Sequence, residues 1–429
     1  MSNSALLARR FATIGRHSPL FYEEPIHLVQ GSGVWLTDVT GRRYLDAYNN
    51  VPHVGHAHPR VVEALRAQAS TLNIHTRYLN ERVVEYAEEL LARFEPELDR
   101  VLFANSGSEA NELAFRIARQ HTQATGILVT DFSYHGNTTL LAGITTGLKT
   151  REGLAPNVRS FPVPDLDAAA NAGRTPEEVR EEALIHVDRA IAELIREGHG
   201  VCAVILESIF STEGLPTVPE GYVEGIAARV RAAGGLVIGD EVQAGLGRIG
   251  SHFWGYQRYD LVPDFVTLGK PLGNGHPLAA VVTREALLEE FGTYNEFFNT
   301  FAGNPVSSAV GLEVLSIIDD EQLVSRSKRL GSTIRAELTT LTDSHDLLGP
   351  VKGDGLFFGF SVFQDPEHQV PDPVATKQLV EAIKTRDVLL SKIGPTGSVL
   401  KIRPPLAIED SHLPLLLGAI RDAVANTMR

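Results

Sequence analysis

The sequence has a single cysteine, no long apolar run and fewer basic than acidic residues. Cys202 is the only cysteine among 429 residues, so no disulfide bond can form within the chain. It lies in the apolar run 201–206, which favours a buried structural thiol over a nucleophile. No apolar stretch approaches the roughly 18 residues that a membrane-spanning helix needs. We therefore expect no membrane partner and a reducing, cytoplasmic location.

The charge balance argues against a further class of partner. The chain has 39 basic and 53 acidic residues, which gives a formal net charge of -14. An acidic surface repels phosphate backbones, so we expect no nucleic-acid partner. A small anionic substrate remains compatible with this charge if a local cationic pocket holds it. The alternating histidines within 53–58 are assigned to structure, and because no constellation of metal ligands is found we expect no metal.

Short apolar segments alternate with helical patterns between residues 100 and 285. The segments are continuous apolar runs, which predicts strands buried on both faces of a mainly parallel sheet between helices. One helix is well marked, because Thr175 predicts its N-cap, Pro176 its first position, Glu178 a capping box and Gly198 its end. The fold class is therefore α/β, and the predicted strands are 101–104, 126–130, 201–207, 235–240, 264–268 and 278–282.

The last 110 residues follow a different pattern. They predict helix, then strands around 355–362 and 388–391, then a final helix. This order is typical of a smaller α+β domain. The predicted division is an N-terminal segment that contributes to the small domain, a large domain and a C-terminal small domain, at residues 1–75, 76–318 and 319–429.

The strongest chemical signal is a carboxylate, an amide and an amine at the ends of two predicted strands. Asp240 ends one of them, and a carboxylate at a buried strand end is costly unless a cation meets it. A protonated pyridine nitrogen would be such a cation, and Gln243 could then bind the phenolic oxygen of the same ring. Lys270 follows the next strand and could form an imine with a cofactor aldehyde. Each residue alone is also explained by a strand-end ion pair or an exposed lysine.

Two further segments fit a flat, phosphorylated cofactor. Gly107 and Ser108 open a helix directly after a strand, where backbone N–H groups and the helix dipole favour an anion. Such a turn also serves as an ordinary helix cap. Tyr134, just past another strand, could stack on the cofactor ring, although a plain loop aromatic explains it equally well.

These motifs occur in an order that resembles the class III aminotransferase family of fold type I enzymes, which use pyridoxal 5'-phosphate (PLP). The resemblance runs from about residue 20 to the C-terminus, and it is carried by Asn105-Ser-Gly-Ser-Glu-Ala, Tyr134-His-Gly, Asp240-Glu-Val-Gln, Gly269-Lys and Asn299-Thr-Phe-Ala-Gly-Asn-Pro.

The resemblance implies roles for these residues and a large domain with a parallel sheet beside a smaller α+β domain. Lys270 is implied to hold PLP as a Schiff base, and Asp240 to pair with the pyridine nitrogen. Gly107 and Ser108 are implied to bind the cofactor phosphate, with Tyr134 stacked on the ring. Thr300 is implied to reach the cofactor phosphate of a neighbouring subunit, so we expect a homodimer whose site is shared across the interface.

A narrower resemblance concerns the reaction. Residues 49–59, 73–79 and 273–277 are similar to the phospholyase branch of the family. Once Lys270 removes the Cα proton of a bound amine, a phosphate on Cβ can leave. This predicts a lyase that acts on a 2-aminoalkyl phosphate, first of all ethanolamine phosphate. The alternatives are a class III transaminase that acts on an ω-amine or amino acid, and a catalytically silent binding protein.

A lyase of this kind needs a cationic pocket for the substrate phosphate. Arg77 is the first candidate, because the arginine fork suits phosphate oxygens, and Lys401 and Arg403 are the next. In aminotransferases the match of Arg403 binds the substrate carboxylate, and Glu207 matches a glutamate that can pair with it. Asn50 could donate one more hydrogen bond. Each of these residues could instead form a surface or interface contact, and residues 208–214 depart from the phospholyases, which leaves the exact substrate open.

Overall fold

The computed structural model describes residues 3–151, 153–171 and 173–428. Its strands are β1 (Leu28–Ser32), β2 (Trp35–Asp38), β3 (Arg43–Asp46), β4 (Arg100–Ala104), β5 (Ile127–Thr130), β6 (Val158–Phe161), β7 (Ala203–Glu207), β8 (Leu236–Asp240), β9 (Phe265–Leu268), β10 (Ala279–Thr283), β11 (Leu348–Asp354), β12 (Phe357–Asp365), β13 (Val370–Pro371), β14 (Val388–Leu389), β15 (Ser391–Ile393) and β16 (Val399–Ile402).

The α-helices are α1 (Asn3–Thr13), α2 (Pro59–Ala69), α3 (Glu81–Leu91), α4 (Gly107–Thr122), α5 (Thr139–Ala142), α6 (Leu166–Asn171), α7 (Pro176–Arg196), α8 (Tyr222–Ala232), α9 (Glu285–Tyr294), α10 (Pro305–Asp320), α11 (Leu323–Asp343), α12 (Pro373–Lys384) and α13 (Leu413–Thr427). Short 3-10 turns occupy Gly255–Tyr259, Lys270–Gly273 and Asp410–His412.

The central sheet confirms the predicted α/β class. Its seven strands lie in the order β4-β10-β9-β8-β7-β5-β6. The strands from β9 to β6 pair in parallel, and β10 runs antiparallel between β4 and β9. The six predicted strands correspond to β4, β5, β7, β8, β9 and β10, with ends that shift by up to two residues.

Helices cover both faces of this sheet, which explains why its strands are apolar throughout. On one face, Ile205 packs into a buried cluster with Leu113 and Ile117 of α4. On the other face, Val204 packs with Val187 of α7 and residues of α8. Because successive side chains of a strand point to opposite faces, a strand between two helix layers needs apolar residues at every position.

The α7 helix begins as its sequence predicts. The Thr175 side chain accepts a hydrogen bond from the Glu178 backbone at 3.2 Å, and Glu178 accepts one from the Thr175 backbone at 2.9 Å. These reciprocal bonds satisfy two backbone donors that the helix itself leaves free. Gly198 follows the helix end with a left-handed φ of 82°.

In the part of the chain that is described, no helix combines the length and apolarity needed to cross a bilayer.

Two smaller sheets lie outside the central one. The sheet β1-β2-β3-β14 joins the N-terminal segment to the C-terminal region, and β11-β12-β16-β15 forms the second, with β13 paired to β12. The single strand predicted around 388–391 is wrong, because β14 pairs with β3 whereas β15 pairs with β16. The predicted 355–362 strand is the second arm of a hairpin whose turn contains Gly355 at a φ of 53°. The predicted boundaries after residues 75 and 318 stay a prediction.

Candidate active site

Seven of the predicted site residues line one cavity at the carboxyl edge of the central sheet. Parallel strands bring their carboxyl ends to the same edge, where open α/β sheets place their ligands. Glu207 ends β7 and Asp240 ends β8, and the two residues are direct register partners. The cavity has a volume of about 130 Å³, and its predicted lining residues are Gly107, Ser108, Tyr134, Glu207, Asp240, Gln243 and Lys270.

Asp240 is buried and held by three donors. Its Oδ2 accepts hydrogen bonds from His135 Nδ1 at 2.8 Å and from Asn111 Nδ2 at 3.0 Å, while its Oδ1 accepts one from the Val242 backbone at 3.1 Å. Burial by itself raises the pKa of Asp240, but His135, Lys270 and Asn111 together bring it below its ordinary value. The carboxylate is therefore kept ionised in the interior, which suits it to a cationic partner.

His135 and Asn111 are site residues that the sequence analysis did not single out. His135 stands in a motif that carries the family resemblance, next to Tyr134, and Asn111 directly follows another, residues 105–110. The Asn111 amide also donates to the His135 backbone carbonyl at 2.7 Å, which joins the two segments behind Asp240. Their positions could have indicated a role in the site, because Asn111 lies one turn into α4 and His135 directly follows Tyr134, the predicted stacking residue.

Lys270 opens a 3-10 turn with a left-handed backbone, at a φ of 35°. The residue is exposed and lines the open cavity, where neighbouring protein atoms still surround its amine. Burial lowers the pKa of Lys270, the charge of Asp240 opposes that effect, and the charge of Arg403 adds to it. A lysine with a lowered pKa has more of the unprotonated form that attacks an aldehyde.

The helix start and its neighbours form a cradle suited to a phosphate. At Gly269 a Cβ atom would lie 3.1 Å from the Gly107 backbone nitrogen, and at Gly136 it would lie 2.5 Å from Ser108 Oγ. The glycines therefore keep space open around the first turn of α4, where free N–H groups favour an anion. With Asp240 and Lys270, this donor set fits a phosphorylated ring that carries a basic nitrogen and an aldehyde.

A chain of hydrogen bonds connects Arg403 to Glu207 through two intermediate residues, Gln243 and Ser211. Arg403 donates to Gln243 Oε1, Gln243 Nε2 donates to Ser211 Oγ at 3.0 Å, and the Ser211 backbone donates to Glu207 Oε2 at 2.5 Å. Among the described residues, Glu207 is therefore linked to Arg403 through Ser211 and Gln243 rather than by a direct ion pair, because the loop after β7 folds back onto the carboxylate. Burial, with nearby acids, raises the pKa of Glu207 to about 7. The Gln243 amide uses only one of its two N–H groups in these bonds.

Lys401 and Arg403 place two cations side by side in the interior. Lys401 lies on β16 and Arg403 directly follows its last residue, and both are buried. The Tyr48 and Phe357 rings flank them, with Lys401 Nζ 5.4 and 5.3 Å from the two ring centres. Burial and the charges of Arg403 and Lys270 lower the pKa of Lys401, and burial lowers that of Arg403 to about 10. No carboxylate of the described residues lies within ion-pair distance of Lys401.

Arg77 and Thr300 do not reach the cavity of their own chain. The Arg77 guanidinium lies 3.9 Å from the centre of the Phe298 ring, in an outer groove that Asn299 also lines. Thr300 is exposed beside Asn299, whose amide donates to Glu109 Oε2 at 2.9 Å. The two residues therefore lie together on the outer surface near the start of α4.

Asn50 is buried but lies outside the set that lines the cavity. The exposed fraction of the residue is 1%, and neither its Nδ2 nor its Oδ1 has a hydrogen-bond partner among the described residues. A buried amide without partners is unusual, so this carboxamide is available to a ligand.

Comparison with known proteins gives the family. The model of class III aminotransferases matches residues 21–424. A phospholyase from Arthrobacter, solved in complex with phosphoethanolamine, has a TM-score of 0.96 and 55% identity, and the match covers 98% of this chain and 99% of that one. Two relatives share 35% identity: ethanolamine-phosphate phospho-lyase homolog 1 of Caenorhabditis elegans and an alanine–glyoxylate aminotransferase 2-like protein of Drosophila melanogaster. The former match covers 96% of this chain and 91% of the relative, and the latter 100% and 88%.

These matches confirm the fold type I architecture and PLP as the cofactor, which the carboxylate, amine and anion cradle of the cavity fit. The chain belongs to the class III aminotransferase family.

Proposed function

We propose that the chain is a PLP-dependent phospholyase that converts ethanolamine phosphate and water to acetaldehyde, ammonia and inorganic phosphate. The observation that carries this proposal is the likeness, at 55% identity over almost the whole chain, to an Arthrobacter phospholyase with phosphoethanolamine bound. The buried Lys401 and Arg403 support it, because two cations with so little neutralising charge suit a phosphate dianion.

Residues of the cavity hold the cofactor. Lys270 would bind its aldehyde as a Schiff base, Asp240 its ring nitrogen and Gln243 its phenolic oxygen. Gly107 and Ser108 would bind its phosphate, with Tyr134 stacked on one face of the ring. When bound, PLP supplies a cationic ring that takes up the electron pair of a Cα–H bond.

The side chains of this protein supply the proton transfer and the anion binding. Lys270 takes the Cα proton of the bound amine, which its lowered pKa favours at neutral pH. Asp240 keeps a proton on the ring nitrogen. Lys401 and Arg403 bind the substrate phosphate, with Asn50 as a further donor, and offset the charge that it gains as the Cβ–O bond breaks. Glu207 acts through Ser211 and Gln243 to hold Arg403 in place.

The proposed assembly is a homodimer that shares its two sites. Tyr78, Leu79 and Phe301 are large hydrophobic side chains that are strongly exposed, and they follow Arg77 and Thr300 in the chain. An apolar surface of this kind is suited to a second copy of the chain. In the dimer, Thr300 would reach the partner's cofactor phosphate and Arg77 the partner's substrate phosphate. A cytoplasmic location remains part of this proposal and rests on the single cysteine.

The experiment incubates the purified holoenzyme with ethanolamine phosphate in the absence of any keto acid and measures inorganic phosphate and acetaldehyde. We expect both products in equal amounts at a catalytic rate. Absence of phosphate release under these conditions would remove the phospholyase proposal.

Transamination is the second candidate, and the 35% identity to an aminotransferase 2-like protein favours it. It predicts turnover of an ω-amine or amino acid that requires pyruvate or 2-oxoglutarate, with no phosphate freed. The same protein, assayed with ethanolamine phosphate or with an amine and a keto acid, therefore separates the two candidates.

A further inference from the structure

Two segments that resemble phospholyases, residues 49–59 and 273–277, contact each other through one side chain. Asn274 follows the 3-10 turn Lys270–Gly273 and has a left-handed backbone, with a φ of 47°. Its Oδ1 accepts a hydrogen bond from the Val54 backbone at 3.0 Å, and its Nδ2 donates to the Gly55 carbonyl at 2.9 Å. One carboxamide thus fastens the 50–55 loop to the turn that begins at the cofactor lysine.

The same loop is fixed from its other side by His53. Its Nε2 lies 2.8 Å from the Leu246 carbonyl, and its Nδ1 lies 3.2 Å from an Arg248 nitrogen, which can only donate. The histidine therefore carries its proton on Nε2 and is neutral. The His53 carbonyl also accepts from the Leu406 backbone at 2.8 Å. With His53 and Asn274 both held, the loop has little freedom to shift.

The residues just before this loop contact Arg403, one of the two buried cations. The Arg403 backbone donates to the Ala47 carbonyl at 2.7 Å, and Arg403 Nε donates to the Tyr48 carbonyl at 3.2 Å. Asn50 comes two residues later, buried and with both amide atoms unpartnered among the described residues. The loop therefore holds a carboxamide without partners close in sequence to the contacts of Arg403.

We propose that Asn274 is a positioning residue for substrate binding, which acts by holding the loop so that the Asn50 carboxamide faces the substrate phosphate. The inference rests on the proposed phospholyase function. It assigns one shared task to the two segments. Residues 49–59 provide a hydrogen-bond donor to the substrate phosphate, and residues 273–277 fix the position of that donor relative to Lys270.

The test compares wild-type holoenzyme with Asn274→Gly, Asn50→Ala and the double variant, by steady-state phosphate release from ethanolamine phosphate. Asn274→Gly removes both hydrogen bonds but tolerates the left-handed backbone. We expect KM to rise about tenfold while kcat changes by less than about threefold, because ground-state binding is lost. The double variant should be no worse than Asn50→Ala, since the two residues act through one contact.

A matched control is available at Asp260. This exposed residue also ends a 3-10 turn, with φ and ψ of 47° and 38° against 47° and 39° at Asn274. Asp260→Gly therefore makes the same backbone change away from the loop, and its KM should stay at the wild-type value. If Asn274→Gly fails to fold, Asn274→Asp keeps the acceptor for Val54 but loses the donor to Gly55, and its KM should also rise.

Three results would overturn the inference. They are an unchanged KM in a folded Asn274 variant, a KM increase that multiplies with that of Asn50→Ala, and an equal increase in Asp260→Gly. The proposed function fails in a different way, because wild-type holoenzyme would then release no phosphate at all, and the inference would fall with it.

Discussion

Glu213 lies in the loop after β7 that departs from the phospholyase pattern, and replacing it with glutamine should change how stability depends on pH. Thr130 donates a hydrogen bond to Glu213 Oε1, while Oε2 is shielded from solvent and has no partner among the described residues. Burial raises the pKa of Glu213 to about 8; the Thr130 hydrogen bond opposes this rise and the charge of Glu207 adds to it. The carboxyl group is therefore protonated in the folded protein at neutral pH.

The size of the effect follows from the two pKa values. An unfolded glutamate titrates near 4.5, so a folded value of about 8 corresponds to about 5 kcal/mol of unfolding free energy, to order of magnitude. The folded state binds the proton more tightly, so this contribution is complete below pH 4.5. It is lost progressively as the pH rises from 4.5 to 8, because in this range the glutamate has lost its proton in the unfolded chain but keeps it in the folded protein.

The assay is urea denaturation of wild type and Glu213→Gln at about pH 5 and about pH 8.5, on either side of most of this range. The glutamine is neutral at every pH, so the variant should gain stability relative to wild type by several kcal/mol at the higher pH. Glu220→Gln, at an exposed position in the same region, should show no such gain. The same pH dependence in wild type and Glu213→Gln would refute the burial of this carboxyl.

Three further predictions concern the site. Arg77→Ala should raise KM for ethanolamine phosphate about tenfold with unchanged cofactor absorbance, and unchanged kinetics would remove Arg77 from the pocket. If the dimer shares its sites, mixing Arg77→Ala subunits with Lys270→Ala subunits should restore activity, because one site of the mixed dimer has both residues. Binding of inorganic phosphate should take up protons, because an anion raises the lowered pKa of Lys401; calorimetry in buffers of different ionisation enthalpy should detect this uptake, and Lys401→Met should abolish it. Asp240→Asn should lower kcat about 100-fold with the cofactor still bound, and near-normal kcat would contradict its pairing with the ring nitrogen.

The central sheet could be predicted from sequence because its burial leaves a clear signal. Strands such as β5 and β7 are fully buried, so all their residues are apolar except the last one of each strand. The β16 strand carried no such signal, since Lys401 interrupts its apolar pattern. The division of 388–391 into two strands depends on pairing with β3 and β16, which are distant in the chain.

The core of the site was predictable for a similar reason, and its outer parts were not. Asp240 and Lys270 follow parallel strands, so their convergence at one edge follows from the topology. The sequence does not say that His135 rather than Tyr134 turns toward Asp240, because neighbouring residues of a loop have no fixed direction. It also does not say that Ser211 takes the Glu207 carboxylate, since that depends on how the loop folds back.

The measurement that tests the central claim most directly is borohydride reduction of the holoenzyme followed by peptide mapping. Reduction fixes the cofactor to the amine that holds it, and two lysines have lowered pKa values, Lys270 in the cavity and Lys401 on β16. We predict that the phosphopyridoxyl label lies on Lys270, and that Lys270→Ala carries no label and releases no phosphate. A label on Lys401 or elsewhere in the chain, or turnover by Lys270→Ala, would contradict the account.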